Sequence, residues 1–235
     1  MGQLTPEEKE AMKAEAGVTA CAFVESGMKI GIGTGSTVKY TILELGRRIR
    51  EEGLEITGIP TSKATEILSK QQGIPMINWD ECDSLDLVID GADEFDQNLH
   101  LIKGGGGALL REKIVAESSA AMIVVADASK KVEILGNFPL PIEVNPYGWE
   151  QTKRRVEKLC PGHVVRRGPD YLTDNGNPIL DANFGASISD PVELEAEIRA
   201  ISGVVDVGLF TDTADVVVMA AIDGCVLIRK ENARI

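Results

Sequence analysis

Residues 28–37, MKIGIGTGST, predict a short apolar strand followed by a turn made of glycines and hydroxyl residues. Residues 38–51, which follow the turn, carry apolar side chains at helical spacing. Further apolar runs at residues 54–60, 85–89 and 122–126 predict more strands, with helical segments between them. Strands that are apolar throughout and alternate with helices predict a parallel sheet covered on both faces. We therefore predict an α/β fold, with a Rossmann-like, doubly wound domain and a mostly parallel sheet.

A second pattern begins after residue 131, where the predicted elements follow the order β-α-β-β-α-β. Its strands are predicted at residues 140–144, 164–167, 179–181 and 204–210, and its helices at 149–159 and 191–201. Residues 171–173 and 179–181 flank a turn-rich segment and predict a hairpin. The order is that of a smaller, ferredoxin-like α+β domain. We expect residues 132–207 to form it, and residues 1–131 plus 208–235 to form the Rossmann-like catalytic domain.

The composition argues against several classes of function. Lys and Arg number 24 against 37 Asp and Glu, and the net charge is -13. Because a generic nucleic-acid or anionic-membrane surface needs a basic excess, we expect neither partner. The four cysteines form no Cys-x-x-Cys pair, and two histidines are too few for a multi-histidine metal centre. With no signal-like N-terminus and no apolar run of transmembrane length, we expect a reduced, cytoplasmic protein.

The turn Gly33-Thr34-Gly35-Ser36-Thr37 is the first of three candidate ligand-binding stretches. Glycine lets an anion approach the backbone, and hydroxyls with N–H groups at a helix start can hold phosphate. The turn is not a P-loop, because no Gly-Lys-Ser/Thr follows it. It is also a poor dinucleotide fingerprint, because Ser36 or Val38 occupies the third glycine position. The turn therefore either binds an anionic ligand or only begins a helix.

The second stretch is Asp90-Gly91-Ala92-Asp93-Glu94, directly after the apolar run 85–89. Carboxylates so close together repel one another and lose hydration when they are enclosed. Such crowding is tolerated where cations, hydroxyls or proton transfer compensate for it. Because Asp96 adds a fourth carboxylate, a divalent metal site and a solvated acidic loop are the alternatives to a substrate-binding role.

Lys103-Gly104-Gly105-Gly106-Gly107 is the third and most informative stretch. Four consecutive glycines cost backbone entropy, so a lysine entering them before a helix predicts an oxyanion or phosphate site rather than a linker. Glu112 lies early in the helix that follows and is a candidate general base. Lys130, after the run 122–126, is either a further cation of the site or a surface lysine. A flexible lid is the alternative for the glycine run.

The three stretches are predicted to follow strands, and ligands of open α/β sheets bind beyond the carboxyl ends of the strands. We therefore expect all three at one rim of the sheet. Their carboxylates, hydroxyls, glycine turns and lysines suit proton transfer next to the carbonyl of a phosphorylated sugar. That chemistry requires no histidine, metal ion or redox cofactor. A different phosphosugar isomerase or epimerase, a phosphosugar-sensing domain and a dinucleotide-dependent oxidoreductase are the competing interpretations.

The three stretches, together with segments 126–130, 138–141, 173–177 and 203–210, resemble type A ribose-5-phosphate isomerase. The resemblance covers nearly the whole chain in the order of the family. It implies interconversion of D-ribose 5-phosphate and D-ribulose 5-phosphate through an enediolate, in the non-oxidative pentose phosphate pathway. It also implies a Rossmann-like domain with a smaller α/β domain, no metal ion or other cofactor, and a homodimer or homotetramer. One departure is Gly107, where the family often has alanine.

By this resemblance, Glu112 is the general base, Asp90 assists opening of the furanose ring, and Lys103 neutralises the developing oxyanion. The residues that the resemblance predicts to contact the substrate are Thr34, Gly35, Ser36, Thr37, Asp90, Gly91, Ala92, Asp93, Lys103, Gly104, Gly105, Gly106 and Lys130. The helix N-terminus and Lys103 should lower the pKa of Glu112, whereas burial should raise it.

Overall fold

The computed structural model describes residues 5–221 and 223–235, which form two compact units. The first unit comprises the described residues of Met1–Gly91, Ile114–Lys130 and Thr213–Ile235, and the second comprises Ala92–Lys113 and Lys131–Asp212. Residues 92–113 therefore belong to the second unit, whereas the sequence places them in the Rossmann-like domain.

Helices and strands alternate from residue 6 to residue 91, as predicted. In the described residues the helices are α1 (Pro6–Ala20), α2 (Val38–Glu52), α3 (Lys63–Gln71), α4 (Leu109–Glu117), α5 (Trp149–Val156) and α6 (Pro191–Arg199). The strands are β1 (Lys29–Ile32), β2 (Thr57–Pro60), β3 (Leu87–Gly91), β4 (Glu94–Phe95), β5 (Leu101–Ile102), β6 (Met122–Asp127), β7 (Leu140–Val144), β8 (Val164–Arg166), β9 (Ile179–Ala182), β10 (Val204–Val207), β11 (Leu209–Phe210), β12 (Val216–Ala221) and β13 (Gly224–Arg229). Within this part of the chain, none of the helices has the length and apolarity needed to cross a membrane.

The first unit is built on a six-stranded sheet with the strand order β13-β12-β6-β3-β1-β2. All neighbours pair in parallel except β12 and β13. Ile30 and Ile32 belong to the core shared with α1 and α2, whereas Gly31 faces Val115 of α4. A Cβ atom at Gly31 would lie 2.4 Å from Cγ1 of Val115, so this close approach requires glycine. The doubly wound, mostly parallel sheet is thereby confirmed.

The strand order reverses at β1, which lies between β2 and β3. In open α/β sheets such a reversal leaves a crevice beyond the carboxyl ends of the two central strands, where ligands bind. The 33–37 turn follows β1, and Asp90 lies near the end of β3. The first stretch and the start of the second therefore lie at this sheet edge, as predicted.

The second unit contains a four-stranded antiparallel sheet with the order β10-β7-β9-β8. Because α5 connects β7 to β8 and α6 connects β9 to β10, this is the predicted ferredoxin-like arrangement. Apolar side chains from all four strands form its core, among them Ile142, Val164, Leu180 and Val207. Residues 171–173 are described but lie outside any strand, so the prediction of a hairpin there is wrong and a longer loop joins β8 to β9.

Gly208 divides the predicted strand 204–210 into β10 and β11. Its N–H donates to the carbonyl of Pro141 and its carbonyl accepts the N–H of Lys103, so the chain passes here from one sheet to another. β11 joins a three-stranded sheet, β11-β5-β4, which the sequence does not predict because each of its strands spans only two residues. The third stretch, 103–107, follows β5 of this sheet and not a strand of the parallel sheet, which corrects the expectation for it.

Glu94 fixes the segment 92–113 within the second unit. Its buried carboxylate accepts the N–H of Gly136 at 2.8 Å and that of Phe138 at 2.6 Å. These bonds and the pairing of β5 with β11 place the segment outside the predicted Rossmann-like domain. A side chain that binds distant backbone leaves no local pattern in the sequence, which is why the predicted boundary differs.

Lys113 is almost fully buried within the second unit. Its ammonium binds Glu195 at 2.6 Å and Asp206 at 3.0 Å, and it donates to the carbonyls of Val207 and Leu209. We expect Lys113→Met to lower the free energy of unfolding by about 3 kcal/mol, because two largely buried carboxylates lose the cation that they share. Urea unfolding of both proteins measures the difference.

Lys153→Met is the matched control for this prediction. Lys153 forms an ion pair with Glu157 on the solvent side of α5, and such surface pairs contribute less than about 1 kcal/mol. An equal loss of stability in the two variants would contradict the role assigned to Lys113.

Candidate active site

The side chain of Thr34 lies in a cluster of hydroxyl groups in the first unit. Its Oγ1 is 2.7 Å from Oγ1 of Thr61, 2.9 Å from Oγ of Ser62 and 3.2 Å from Oγ1 of Thr65. Strands β1 and β2 position the cluster, because Thr34 follows the first and Thr61 the second. Only Thr34 of this cluster is a predicted site residue. Thr61 and Ser62 have a signal in the sequence, because two hydroxyl residues directly follow the strand β2.

The middle of the 33–37 turn is open to solvent. Gly35 and Ser36 are exposed, and Thr37 is half-buried. Gly35 has a φ of 136°, a backbone conformation that favours glycine. The turn leads directly into α2, so a hydroxyl and backbone N–H groups are accessible at a helix N-terminus, where anions bind favourably.

Asp90 is fully buried near the end of β3. Its Oδ1 accepts the N–H of Gly91 at 2.7 Å and the N–H of Thr34 at 3.0 Å. A Cβ atom at Gly33 would lie 2.1 Å from the same oxygen, so glycine is required where the β1 turn passes this carboxylate. The structure thus brings together Thr34 and Asp90, two predicted site residues from different strands.

Lys130 is half-buried and ends the short 3₁₀ turn Ala128–Lys130 that follows β6. Because β6 is the neighbour of β3, this turn begins at the same edge of the sheet as Asp90. Asp127 holds the turn by accepting the N–H of Ser129 at 2.9 Å. The position is compatible with the predicted contact to an anionic ligand.

Lys103 and Glu112, the other two predicted catalytic residues, form a buried pair in the second unit. Nζ of Lys103 lies 3.2 Å from Oε1 of Glu112, and the two residues are 1% and 4% exposed. The N–H of Lys103 donates to Gly208 at 2.8 Å, and Glu112 lies in the first turn of α4.

The glycine run folds as an ordered turn. Gly104 and Gly107 have φ values of 103° and 80°, and the N–H of Gly107 donates to the carbonyl of Gly104. The N–H of Gly105 donates to Oδ2 of Asp93 at 2.7 Å. A Cβ atom at Gly105 would lie 2.6 Å from Oδ1 of Asp93, so the close approach of this carboxylate to the backbone depends on glycine.

Tyr171 accounts for the departure from the family pattern at Gly107. A Cβ atom at residue 107 would lie 1.7 Å from the hydroxyl oxygen of Tyr171. The same hydroxyl lies 3.5 Å from the carbonyl oxygen of Gly106. Glycine at 107 therefore makes room for a tyrosine that packs against the glycine turn.

A hydrogen-bonded turn, residues 173–177, is attached to the start of α4. Oε1 of the buried Glu143 accepts from Thr173, Asn175 and Asn177 at 2.9, 3.1 and 2.8 Å. Arg111, directly before Glu112, donates through Nε to Oδ1 of Asn175 at 2.8 Å. Glu143 is not among the predicted site residues. The sequence feature that singles it out is its position as the one charge inside the otherwise apolar run 140–144.

The acidic stretch after β3 has separate partners for its carboxylates. Asp90, Asp93 and Glu94 each accept backbone N–H groups from different segments. Oδ2 of Asp96 lies 2.9 Å from Nδ1 of His100. Burial raises the pKa of Asp96, but the bonds to His100 and to backbone N–H groups outweigh burial, so the pKa lies below its ordinary value. Among residues 5–221 and 223–235, no group of three or more His, Cys, Asp or Glu side chains could hold a metal ion.

The second unit holds a buried lysine–glutamate pair beside a glycine turn, and the first unit has an α/β fold with a hydroxyl-rich turn at its topological switch point. These features are typical of α/β enzymes that work by acid–base chemistry. A family model described as Ribose 5-phosphate isomerase A (phosphoriboisomerase A) matches residues 57–224. A ribose-5-phosphate isomerase A of Bacillus cereus is 50% identical over 215 residues, which cover 91% of this chain and 97% of the relative.

Two solved structures are similar over nearly the whole chain. The ribose 5-phosphate isomerase A of Methanocaldococcus jannaschii is 41% identical with a TM-score of 0.89, covering 94% of this chain and 100% of its own. A D-ribose-5-phosphate isomerase in complex with phospho-erythronic acid is 38% identical with a TM-score of 0.90, covering 94% and 98%. The chain belongs to the ribose 5-phosphate isomerase A family, a family of isomerases.

Proposed function

We propose that this isomerase interconverts D-ribose 5-phosphate and D-ribulose 5-phosphate by proton transfer through an enediolate. The observation that carries the proposal is the buried pair of Lys103 and Glu112, with 3.2 Å between ammonium and carboxylate. A carboxylate in a site of low dielectric constant is a suitable base, and an adjacent fixed cation stabilises the anion that proton removal creates.

In the proposed reaction, Glu112 removes the proton from C2 of the open-chain aldose. The electron pair of the C–H bond forms the C1–C2 double bond, and the carbonyl electrons move to O1, where Lys103 neutralises the charge. Glu112 then returns the proton to C1, and the proton of the C2 hydroxyl moves to O1. Atoms and electrons balance without an oxidant, a reductant or a metal ion.

We assign the remaining predicted residues to substrate binding. Thr34, Gly35, Ser36, Thr37 and Lys130 offer hydroxyls, backbone N–H groups and a cation for anionic oxygens. The other proposed contacts are Gly91, Ala92, Asp93, Gly104, Gly105 and Gly106. Asp90 would accept the proton of the C1 hydroxyl when the furanose ring opens, and the ring oxygen would keep the electrons of its broken bond to C1 and take up a proton from solvent. The complex of a similar isomerase with phospho-erythronic acid, a ligand with a phosphate and a carboxylate, supports an anionic sugar substrate.

Substrate choice tests the proposed function. We expect turnover of ribose 5-phosphate in the presence of a chelator, and at least about 100-fold lower kcat/KM for arabinose 5-phosphate and glucose 6-phosphate. The assay follows ribulose 5-phosphate formation. Inactivity of the folded protein on ribose 5-phosphate, or restoration of activity only by a divalent ion, would contradict the proposal.

We also propose that the enzyme is a cytoplasmic homodimer or homotetramer of the non-oxidative pentose phosphate pathway. All four cysteines, Cys21, Cys82, Cys160 and Cys225, are free thiols, which is the form that a reducing compartment maintains. Burial raises the pKa of Cys21 to about 12, which keeps this thiol protonated and unreactive. Light scattering of the purified protein measures the oligomeric state.

A further inference from the structure

Arg167 links the glycine turn to strand β9 of the second unit. Its Nη1 donates to the carbonyl oxygen of Gly104 at 2.9 Å and to that of Gly105 at 3.0 Å. Its Nε and Nη2 donate to the two carboxylate oxygens of Asp181 at 2.9 and 2.5 Å. Both side chains are 19% exposed, so the guanidinium is held on two sides in a largely buried position.

The two carbonyl contacts determine which side of the glycine turn carries its N–H groups. In a planar trans peptide, the carbonyl oxygen and the following N–H point in opposite directions. The carbonyl of Gly104 binds Arg167, and the N–H of Gly105 correspondingly binds Asp93 on the other side. Because the carbonyl of Gly105 also binds Arg167, the N–H of Gly106 is directed away from the guanidinium.

Glycine residues cannot fix this arrangement themselves, because they have no side chains to pack and their backbone loses much entropy on ordering. Arg167 suits the task, since its planar fork can bind a carboxylate and two carbonyls at once, whereas lysine presents a point charge. Burial lowers the pKa of Arg167, but Asp181 and Tyr171 outweigh burial. The pKa therefore lies above its ordinary value, and the guanidinium stays charged. The ring of Tyr171 packs on the guanidinium at 5.5 Å.

We propose that Arg167 and Asp181 are positioning residues that hold the carbonyl side of the glycine turn, so that the N–H of Gly106 is presented to the anionic oxygens of the substrate. The inference rests on the proposed function, because it takes Gly104, Gly105 and Gly106 as substrate contacts. Neither positioning residue touches the substrate in this scheme. Their loss therefore weakens binding without removing the base Glu112.

The test compares Arg167→Met, Arg167→Lys and Asp181→Asn with wild type, and Arg154→Met serves as the control. Arg154 is exposed on α5, so the control removes the same charge away from the turn. For Arg167→Met we expect KM for ribose 5-phosphate to rise about tenfold, kcat to change less than about threefold, and the pH profile of kcat to keep its shape. Arg167→Lys and Asp181→Asn should give smaller increases in KM.

Hydrogen exchange supplies a readout that does not depend on activity. We expect amides of residues 103–108 to exchange about tenfold faster in Arg167→Met, relative to amides elsewhere in the second unit, even though loss of the ion pair with Asp181 lowers the melting temperature. Wild-type KM and wild-type exchange in this variant would overturn the proposal. So would a lower melting temperature with unchanged KM, which indicates a merely structural role.

Should Arg167→Met fail to fold, Arg167→Lys and Asp181→Asn decide by the same criteria. Inactive wild type would refute the proposed function, while the exchange experiment still tests the contact.

Discussion

Glu112→Gln is expected to lower kcat for ribose 5-phosphate by about 10³-fold while KM stays within a few-fold of wild type. Glutamine keeps the shape and the hydrogen-bonding size of the side chain but cannot accept the C2 proton. Steady-state kinetics over a range of substrate concentrations separates the two parameters. Turnover close to the wild-type rate would remove Glu112 from the proposed mechanism.

Two further variants make this result interpretable. Glu117→Gln changes an exposed glutamate in the last turn of the same helix and should leave kcat unchanged. Glu112→Asp keeps the charge beside Lys103 but withdraws the carboxylate by one methylene, so we expect an intermediate rate. Thermal unfolding of each variant shows whether lost charge compensation at Lys103 has destabilised the fold, because breaking a buried ion pair is costly.

Lys103→Met is the second change with a large expected effect. We expect kcat/KM to fall by about 10²-fold to 10³-fold, because the enediolate oxygen loses the cation that stabilises it in a buried site. Steady-state kinetics of Lys103→Met and of wild type measures the loss.

A matched control separates the loss of this buried cation from the loss of one positive charge. Lys158→Met removes an exposed lysine and serves as the control for overall charge. An unchanged rate would remove Lys103 from the proposed mechanism.

Much of the fold could be predicted because local patterns determine it. The strands β1, β3 and β6 have continuous apolar runs, and each is bounded by glycine, acidic or hydroxyl residues at its end. The run 140–144 matches β7 residue for residue. The predicted pair of Lys103 and Glu112 followed from the glycine run and the helix after it, and the structure places the two in contact.

The remainder depends on contacts between residues far apart in the chain. β4 and β5 have two residues each, too few for a periodicity, and they exist because β11 pairs with β5. Glu94 and Arg167 bind backbone groups 42 and 63 positions away, which no local pattern reveals. Such partners become visible only when the fold is known.

Isomerisation of ribose 5-phosphate in D₂O separates proton transfer through Glu112 from a direct hydride shift between C2 and C1. A proton held by a carboxylate exchanges with solvent during the reaction, whereas a migrating hydride does not. We predict deuterium at C1 of the ribulose 5-phosphate formed by the wild-type enzyme, read by NMR of the product. Complete conversion with no deuterium at C1 would contradict the enediolate mechanism.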